Sequence, residues 1–302
     1  MIFSIFFHLL ILFGLAPLLA GIIARVKAKI GGRQGQPLLQ LYWDLGKLFR
    51  KRMVISTTTT WVFRAGPLVG FVVPVMISLL VPFGPVAAPI SFSGDLVLFA
   101  YLLALARFFT VLAALDTGSS FEGMGAAREA TFAILIEPTI FVVFIVLARL
   151  AGDFSLNGMF VPVKAGFNTP AGIATTLAII CLFIVMLAEN CRIPFDDPNT
   201  HLELTMIHEV MVLDHSGPDL ALILYGAAMK LMISAILIAD LLRPVTADPL
   251  LGSLSFLVVL IILAIMVGLV ESAMARLRLI RIPQLLVGTT LLSFFALIML
   301  LR

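Results

Sequence analysis

Residues 188–218 read AENCRIPFDDPNTHLELTMIHEVMVLDHSGP, and residues 219–242 continue as DLALILYGAAMKLMISAILIADLL. The second stretch is a membrane span by composition, because a helix needs roughly 20 mainly apolar residues to cross about 30 Å of hydrocarbon. The first is its opposite. It holds six of the chain's 17 acidic residues (Glu189, Asp196, Asp197, Glu203, Glu209, Asp214), three of its four histidines and a single basic residue, Arg192. A chain that keeps such a polar island between two apolar spans has something to meet or move there, so function is expected in the island and in the few charges at membrane depth.

Outward from this junction the chain stays apolar. Of its 302 residues 61% are hydrophobic and 12% charged, with a mean hydropathy of +1.15, which places it among polytopic membrane proteins. Eight segments qualify as spans, at about 1–23, 66–90, 95–115, 131–150, 171–188, 219–242, 251–270 and 281–301. The short alternating segments of a membrane β-barrel are missing. The fold class is therefore all-α, one membrane domain over 1–302, with eight transmembrane helices, an interfacial amphipathic helix and a structured cytoplasmic loop.

The first span lacks a basic n-region, and Arg25, Lys27 and Lys29 follow its apolar run, so it reads as a retained span with the N-terminus outside. If residues 24–60 are cytoplasmic, the loops on that side carry 14 of the 20 basic residues and the other side four, with Arg107 and Lys230 inside spans. The positive-inside rule then sets the orientation and makes the net charge of +3 a topology signal, with no support for nucleic-acid binding. The expected location is a prokaryotic cytoplasmic membrane, with the main polar loops inside.

Between the first two spans, Pro37 to Arg52 reads as an amphipathic helix. Leu38, Leu41, Leu45, Leu48 and Phe49 fall on one stripe, with Gln40, Asp44, Lys47, Arg50 and Lys51 opposite. It is expected in the cytoplasmic interface, as a surface anchor, a cavity wall or a docking ledge. Within the island, Pro194 and Pro198 forbid one continuous helix. Thr200 to Glu203 has capping-box spacing, which predicts a short helix over about 200–214.

His201, His208 and His215 recur every seven residues, which leaves their rings about 10 Å apart on a helix of 1.5 Å rise. Metal ligands on one helix face sit three or four apart, so surface or partner-facing histidines are the better reading and no metal site is assigned. Cys181 and Cys191 form no Cys-x-x-Cys, so electron chemistry belongs to a partner. Asp44, Asp95, Asp116 and Glu122 sit at helix ends or in loops, where solvation suffices. Arg276, Arg278 and Arg281 combine a topology signal with possible contact to an acidic surface.

The buried charges carry more. Arg107 lies mid-span in the third segment, Lys230 in the middle of the sixth, and Glu129 at the cytoplasmic mouth of the fourth. Glu137, followed by Pro138, sits about a turn and a half inside that fourth span. Glu137 beside Arg107 or Lys230 would change protonation as its surroundings shift. The plainer alternative is a static ion pair that fixes helix packing.

These residues also carry a resemblance. Ala188-Glu189-x-x-Arg192-x-Pro194-Phe195-Asp196-x-Pro198, with Glu203-Leu204 and Ser216-Gly217, resembles the signature loop of the H-subunit family of respiratory complex I. Gly35-x-x-x-Leu39-Gln40-x-x-x-Asp44-x-x-Lys47 is similar to that family's amphipathic-helix motif, and Gly125-Ala126-x-Arg128-Glu129 with Glu137 to its carboxylate-bearing helix. Within the family, residues 201–223 are more similar to subunits of group 4 membrane-bound [NiFe] hydrogenases of the hydrogenase-4 and formate hydrogenlyase type. The resemblance implies docking under hydrogenase large and small subunits and a ferredoxin-like iron–sulfur subunit, beside antiporter-like membrane subunits. The [NiFe] centre and iron–sulfur clusters would sit in those partners, with no cofactor and no catalytic residue in this chain. Glu189, Arg192, Asp196, Asp197, Glu203, His208, Glu209 and Asp214 would face the redox arm. Glu129 and Glu137, with Arg107 and Lys230, would belong to a proton-connecting chain. A quinone-site subunit of a complex I-type enzyme and an independent ion transporter are the alternatives.

Overall fold

The computed structural model of the chain describes residues 2–160, 169–196, 206–244 and 248–301. The helices are α1 (Ile2–Ile30), α2 (Gln40–Arg50), α3 (Trp61–Ser78), α4 (Asp95–Asp116), α5 (Ser120–Ala151), the single turn α6 (Leu156–Met159), α7 (Pro170–Glu189), α8 (Gly217–Leu242), α9 (Pro249–Ala273) and α10 (Arg281–Leu301). Eight of them, all but α2 and α6, are long and apolar enough to cross a membrane.

Three spans differ from their sequence limits by five residues or more, the first running on to Ile30 beyond residue 23. The second starts at Trp61 and ends at Ser78, not near residue 90, because Pro82, Gly84, Pro85 and Pro89 break the helix and residues 79–94 turn over that end of the bundle. The fourth starts at Ser120, not 131, so Glu129 lies inside the helix. Its polar first turns are covered by the residue 206–212 segment, so the helix is not limited to bilayer length. Gly125 makes that cover possible, since a Cβ there would lie 2.8 Å from the Ile207 carbonyl and collide with Val210.

In the bundle α3 packs between α4 and α8, α1 against α8 and α9, and α10 against α5 and α7. The α3–α8 contact is backbone-close, because a Cβ on Gly226 would lie 2.5 Å from the Gly70 carbonyl. The main core, from Leu12 on α1 to Ala296 on α10, is aliphatic and aromatic.

The interfacial helix is present, three residues shorter at its start and two at its end than Pro37–Arg52. Its level follows from α1 and α8. Tyr225 donates to the Phe13 carbonyl at 2.8 Å. Gly21, against which Leu38 packs, and Gly217, against which Arg52 packs, each lie eight residues from that bond in the same direction along the bundle, about 12 Å along their helices. Both ends of α2 are thus at one height, and the helix lies along the membrane boundary.

The helix expected over 200–214 is not formed in its described part. Residues 206–216 are an irregular segment with one 3₁₀ turn, Glu209–Val212. Met206, Val210 and Met211 pack on Ala114 and Ala126, and Arg128 Nη1 donates to the Met206 carbonyl at 2.8 Å. These contacts with α4 and α5 hold the segment down where an α-helix would lift it off.

Candidate functional site

Arg107 projects from the middle of α4 into the bundle with its side chain 10% exposed. Its Nη1 lies 2.8 Å from Glu137 Oε1, its Nε 3.6 Å from Glu129 Oε1, and its Nη2 contacts Glu189. Glu129 and Glu137 are eight residues apart on α5, about 12 Å of rise, so one guanidinium bridges two carboxylates two turns apart. Glu189 ends α7 and is shared. Its Oε2 lies 2.8 Å from Lys230 Nζ of α8, and that ammonium also donates to the Glu189 carbonyl at 2.7 Å. Three carboxylates and two cations meet, with one negative charge in excess. The structure brings Arg107, Glu129 and Glu137 into contact, and Lys230 joins them only through Glu189. Glu137 differs in one respect: its side chain is 46% exposed on the flank of the bundle instead of enclosed.

Two further charge clusters, with three ion pairs between them, flank this network. Glu271, near the C-terminal end of α9, lies 3.1 Å from Lys27 Nζ and 3.3 Å from Arg192 Nη1 and is almost wholly enclosed. Asp196 lies 2.9 Å from Arg276, and its Oδ2 accepts from the Ile207 and His208 amides at 2.9 and 3.2 Å. Asp196 thereby clamps the two ends of the signature loop together. Cys191 sits between the clusters, its Sγ 4.0 Å from Glu129 Oε2. Burial, and then the nearby Glu129 carboxylate, push its thiol well above the ordinary value, so it stays protonated.

All of these groups except Glu137 and Arg276 line one cavity of about 390 Å³. Its polar end carries Arg107, Glu129, Glu189, Lys230, Arg192 and Glu271. Its apolar end runs between α1 (Ala20, Ile23, Ala24) and α3 (Gly66, Pro67, Gly70, Pro74), with Leu41 of α2 at the side. His208, Glu209 and His215 roof it. The cavity-wall reading of α2 therefore fits, through Leu41. Gln40 and Asp44 form their own hydrogen bond at 2.9 Å, and Lys47 approaches Asp44 at 3.9 Å, outside the cavity.

His215 is corrected. It was read as facing a partner, yet it is buried and stacked on Phe63 with ring centroids 3.9 Å apart. Burial lowers its pKa to about 4, so it is neutral at physiological pH. Asp95 and Glu122, read as solvated, are also buried. Asp95 serves the neighbouring short helix, accepting from the Leu156 amide at 2.7 Å. Glu122 is covered where the loop folds over α5. Asp116 caps α3, accepting from the Thr60 amide at 2.6 Å. Arg276 meets an acid of its own chain. Asp214 is exposed, next to exposed Leu213. Asp197, His201 and Glu203 lie outside the described residues. Glu271 was missed, although it is the one charge in a 25-residue apolar helix and could have been singled out. Among the described residues, no group of three histidine, cysteine or carboxylate side chains is arranged to hold a metal ion.

Comparison with known proteins agrees with this architecture. A family model described as NADH dehydrogenase matches residues 2–301. The chain is 35% identical to hydrogenase-4 component C of Escherichia coli (strain K12), over 78% of this chain and 73% of that one. It is 32% identical to formate hydrogenlyase subunit 4 of the same organism, over 91% of each. A chain of the membrane-bound sulfane sulfur reductase, an archaeal respiratory membrane complex, superposes with a TM-score of 0.80 at 23% identity, covering 98% of this chain and 99% of that one, and so shares the fold.

Proposed function

The chain belongs to the NADH dehydrogenase family, and on that premise we propose that it is the membrane-anchor and coupling subunit of a group 4 membrane-bound [NiFe] hydrogenase complex. The complex is of the formate hydrogenlyase type. In this reading the 188–216 loop meets the cytoplasmic redox arm, and antiporter-like membrane subunits flank the bundle. The relatives that support it are subunits of hydrogenase-4 and formate hydrogenlyase.

One observation carries the coupling role: a single Arg107 shared by Glu129, Glu137 and Glu189, at the end of a cavity roofed by the redox-facing loop. The cluster has one carboxylate more than it has cations. A proton taken up by one of the three leaves the rest balanced, and the guanidinium then shifts toward the two that stay charged. A change of charge at the loop, transmitted through Asp196 and Arg192, alters which carboxylate holds the proton. Half-exposed Glu137 is where that change reaches the flank of the bundle. A carboxylate so exposed at membrane depth calls for a neighbouring protein surface in place of lipid.

A second reading, a quinone-site subunit of a complex I-type enzyme, draws on the cavity beside α1 and α2, whose apolar end suits a hydrophobic ligand. Co-purification in gentle detergent with metal and quinone assays decides between them. Nickel and iron with hydrogenase-like subunits support the hydrogenase assignment. Iron and bound quinone without nickel support the second, and a lone metal-free chain contradicts both.

A further inference from the structure

The segment from Trp43 to Arg64 presents a surface that is apolar and basic at once. Both tryptophans of the chain lie on it, Trp43 54% and Trp61 72% exposed, with Phe49, Val54 and Ile55 exposed between them. Lys47, Arg50, Lys51, Arg52 and Arg64 are exposed on the same stretch. Among the described residues, Arg50, Lys51, Arg52 and Arg64 have no ion-pair partner. Lys47 has only its 3.9 Å approach to Asp44, across a surface open to solvent. Five positive charges thus stand against three acids, Asp44, Asp116 at Thr60 and Asp219 near Arg64, an excess of two.

The height of this surface is fixed by its contacts. Gly217, the first residue of spanning helix α8, packs on the Arg52 carbonyl. Ser216 Oγ accepts from the Val54 amide at 3.1 Å and donates to the Val54 carbonyl at 3.2 Å. Arg64 lies one turn into spanning helix α3 and is a charge neighbour of Asp219. The basic residues therefore lie where α3 and α8 enter the bilayer, level with the flat helix α2. Water alone would not favour the exposed tryptophans, and hydrocarbon would not admit the charges. The headgroup layer accommodates both, since indole rings settle there and lysine and arginine reach phosphate. A zwitterionic headgroup leaves the excess of positive charge unbalanced, whereas an anionic one neutralises it.

We propose that residues 43–64 form a binding surface for anionic phospholipid, engaged through Lys47, Arg50, Lys51, Arg52 and Arg64 and anchored by Trp43 and Trp61. The test uses the chain with whatever subunits it retains in mild detergent. The assembly is stripped of lipid, offered phosphatidylglycerol or phosphatidylcholine in mixed micelles, and its retained lipids are counted by native mass spectrometry. Wild type is expected to retain more phosphatidylglycerol than a variant with Lys47, Arg50, Lys51 and Arg52 all changed to Gln. Each charge removed should weaken retention about fivefold at low salt. A control with Lys29→Gln and Arg33→Gln, also exposed and cytoplasmic, should match wild type. Equal retention by wild type and the four-site variant overturns the proposal. So does a variant that keeps its lipid and loses a cytoplasmic subunit, which assigns the surface to an acidic protein partner.

Discussion

A guanidinium enclosed by three carboxylates is held by Coulomb attraction set against a large desolvation cost, and removing one side of such a group is far more damaging than removing both. Arg107→Met should therefore destabilise the protein by about 3–5 kcal/mol, since it strands Glu129 and Glu137 without a cation. The loss should be partly recovered in the Arg107→Met, Glu129→Gln double variant. Thermal unfolding in detergent checks both, and equal melting temperatures for wild type and Arg107→Met would contradict the geometry. At His215 the prediction concerns pH. The ring titrates near 6.5 when unfolded and at about 4 in the fold, so the unfolded state binds the extra proton between those values. Stability is full above pH 6.5 and falls by about 3 kcal/mol as pH drops toward 4. His215→Phe, which keeps the stack on Phe63, should flatten that part of the stability–pH curve. A curve unchanged by the substitution would show that the ring is not buried as described. Residue types were legible in the sequence, because charges inside apolar runs stand out. Partners were not: nothing in the spacing of Glu271, Lys27 and Arg192 announces that three elements bring them within 3.3 Å.

At the scale of elements, hydrophobic run length located all eight spans but misplaced several of their ends, most of all the end of α3 and the start of α5. Proline spacing stops α3 early, and tertiary cover lets α5 begin in polar sequence. The 200–214 helix failed for a related reason. Capping-box spacing is a local signal, while the described part of that segment is shaped by packing of Met206, Val210 and Met211 on α4 and α5. Gly125 is the hinge of this arrangement. Gly125→Val should push the 3₁₀ turn away from α5 at a cost of about 1–3 kcal/mol, and make the 206–216 segment more sensitive to protease added from the cytoplasmic side. Unaltered cleavage would mean that the turn does not rest on this glycine.

Across the whole molecule, polarity is distributed to one side. From Lys230 to Asp240, ten residues of α8, about 15 Å, pass through buried Ile233, Ile236, Leu237 and Ile238. That apolar length separates the network from the opposite end of the bundle, where Asp240 accepts from the Gly84 amide at 2.9 Å and faces Arg243 at 3.4 Å. Glu137, by contrast, is open at the flank. Under the proposed coupling role, a charge displacement in this chain would therefore run sideways to the flank of the bundle, not straight across. The most direct measurement is proton movement per turnover in membrane vesicles carrying the intact complex, wild type against Glu137→Gln, with subunit composition checked in parallel. The coupling assignment predicts full assembly with reduced proton movement or turnover. Unchanged coupling and turnover, or a defect confined to assembly, would make the Arg107 network a static ion pair and contradict it.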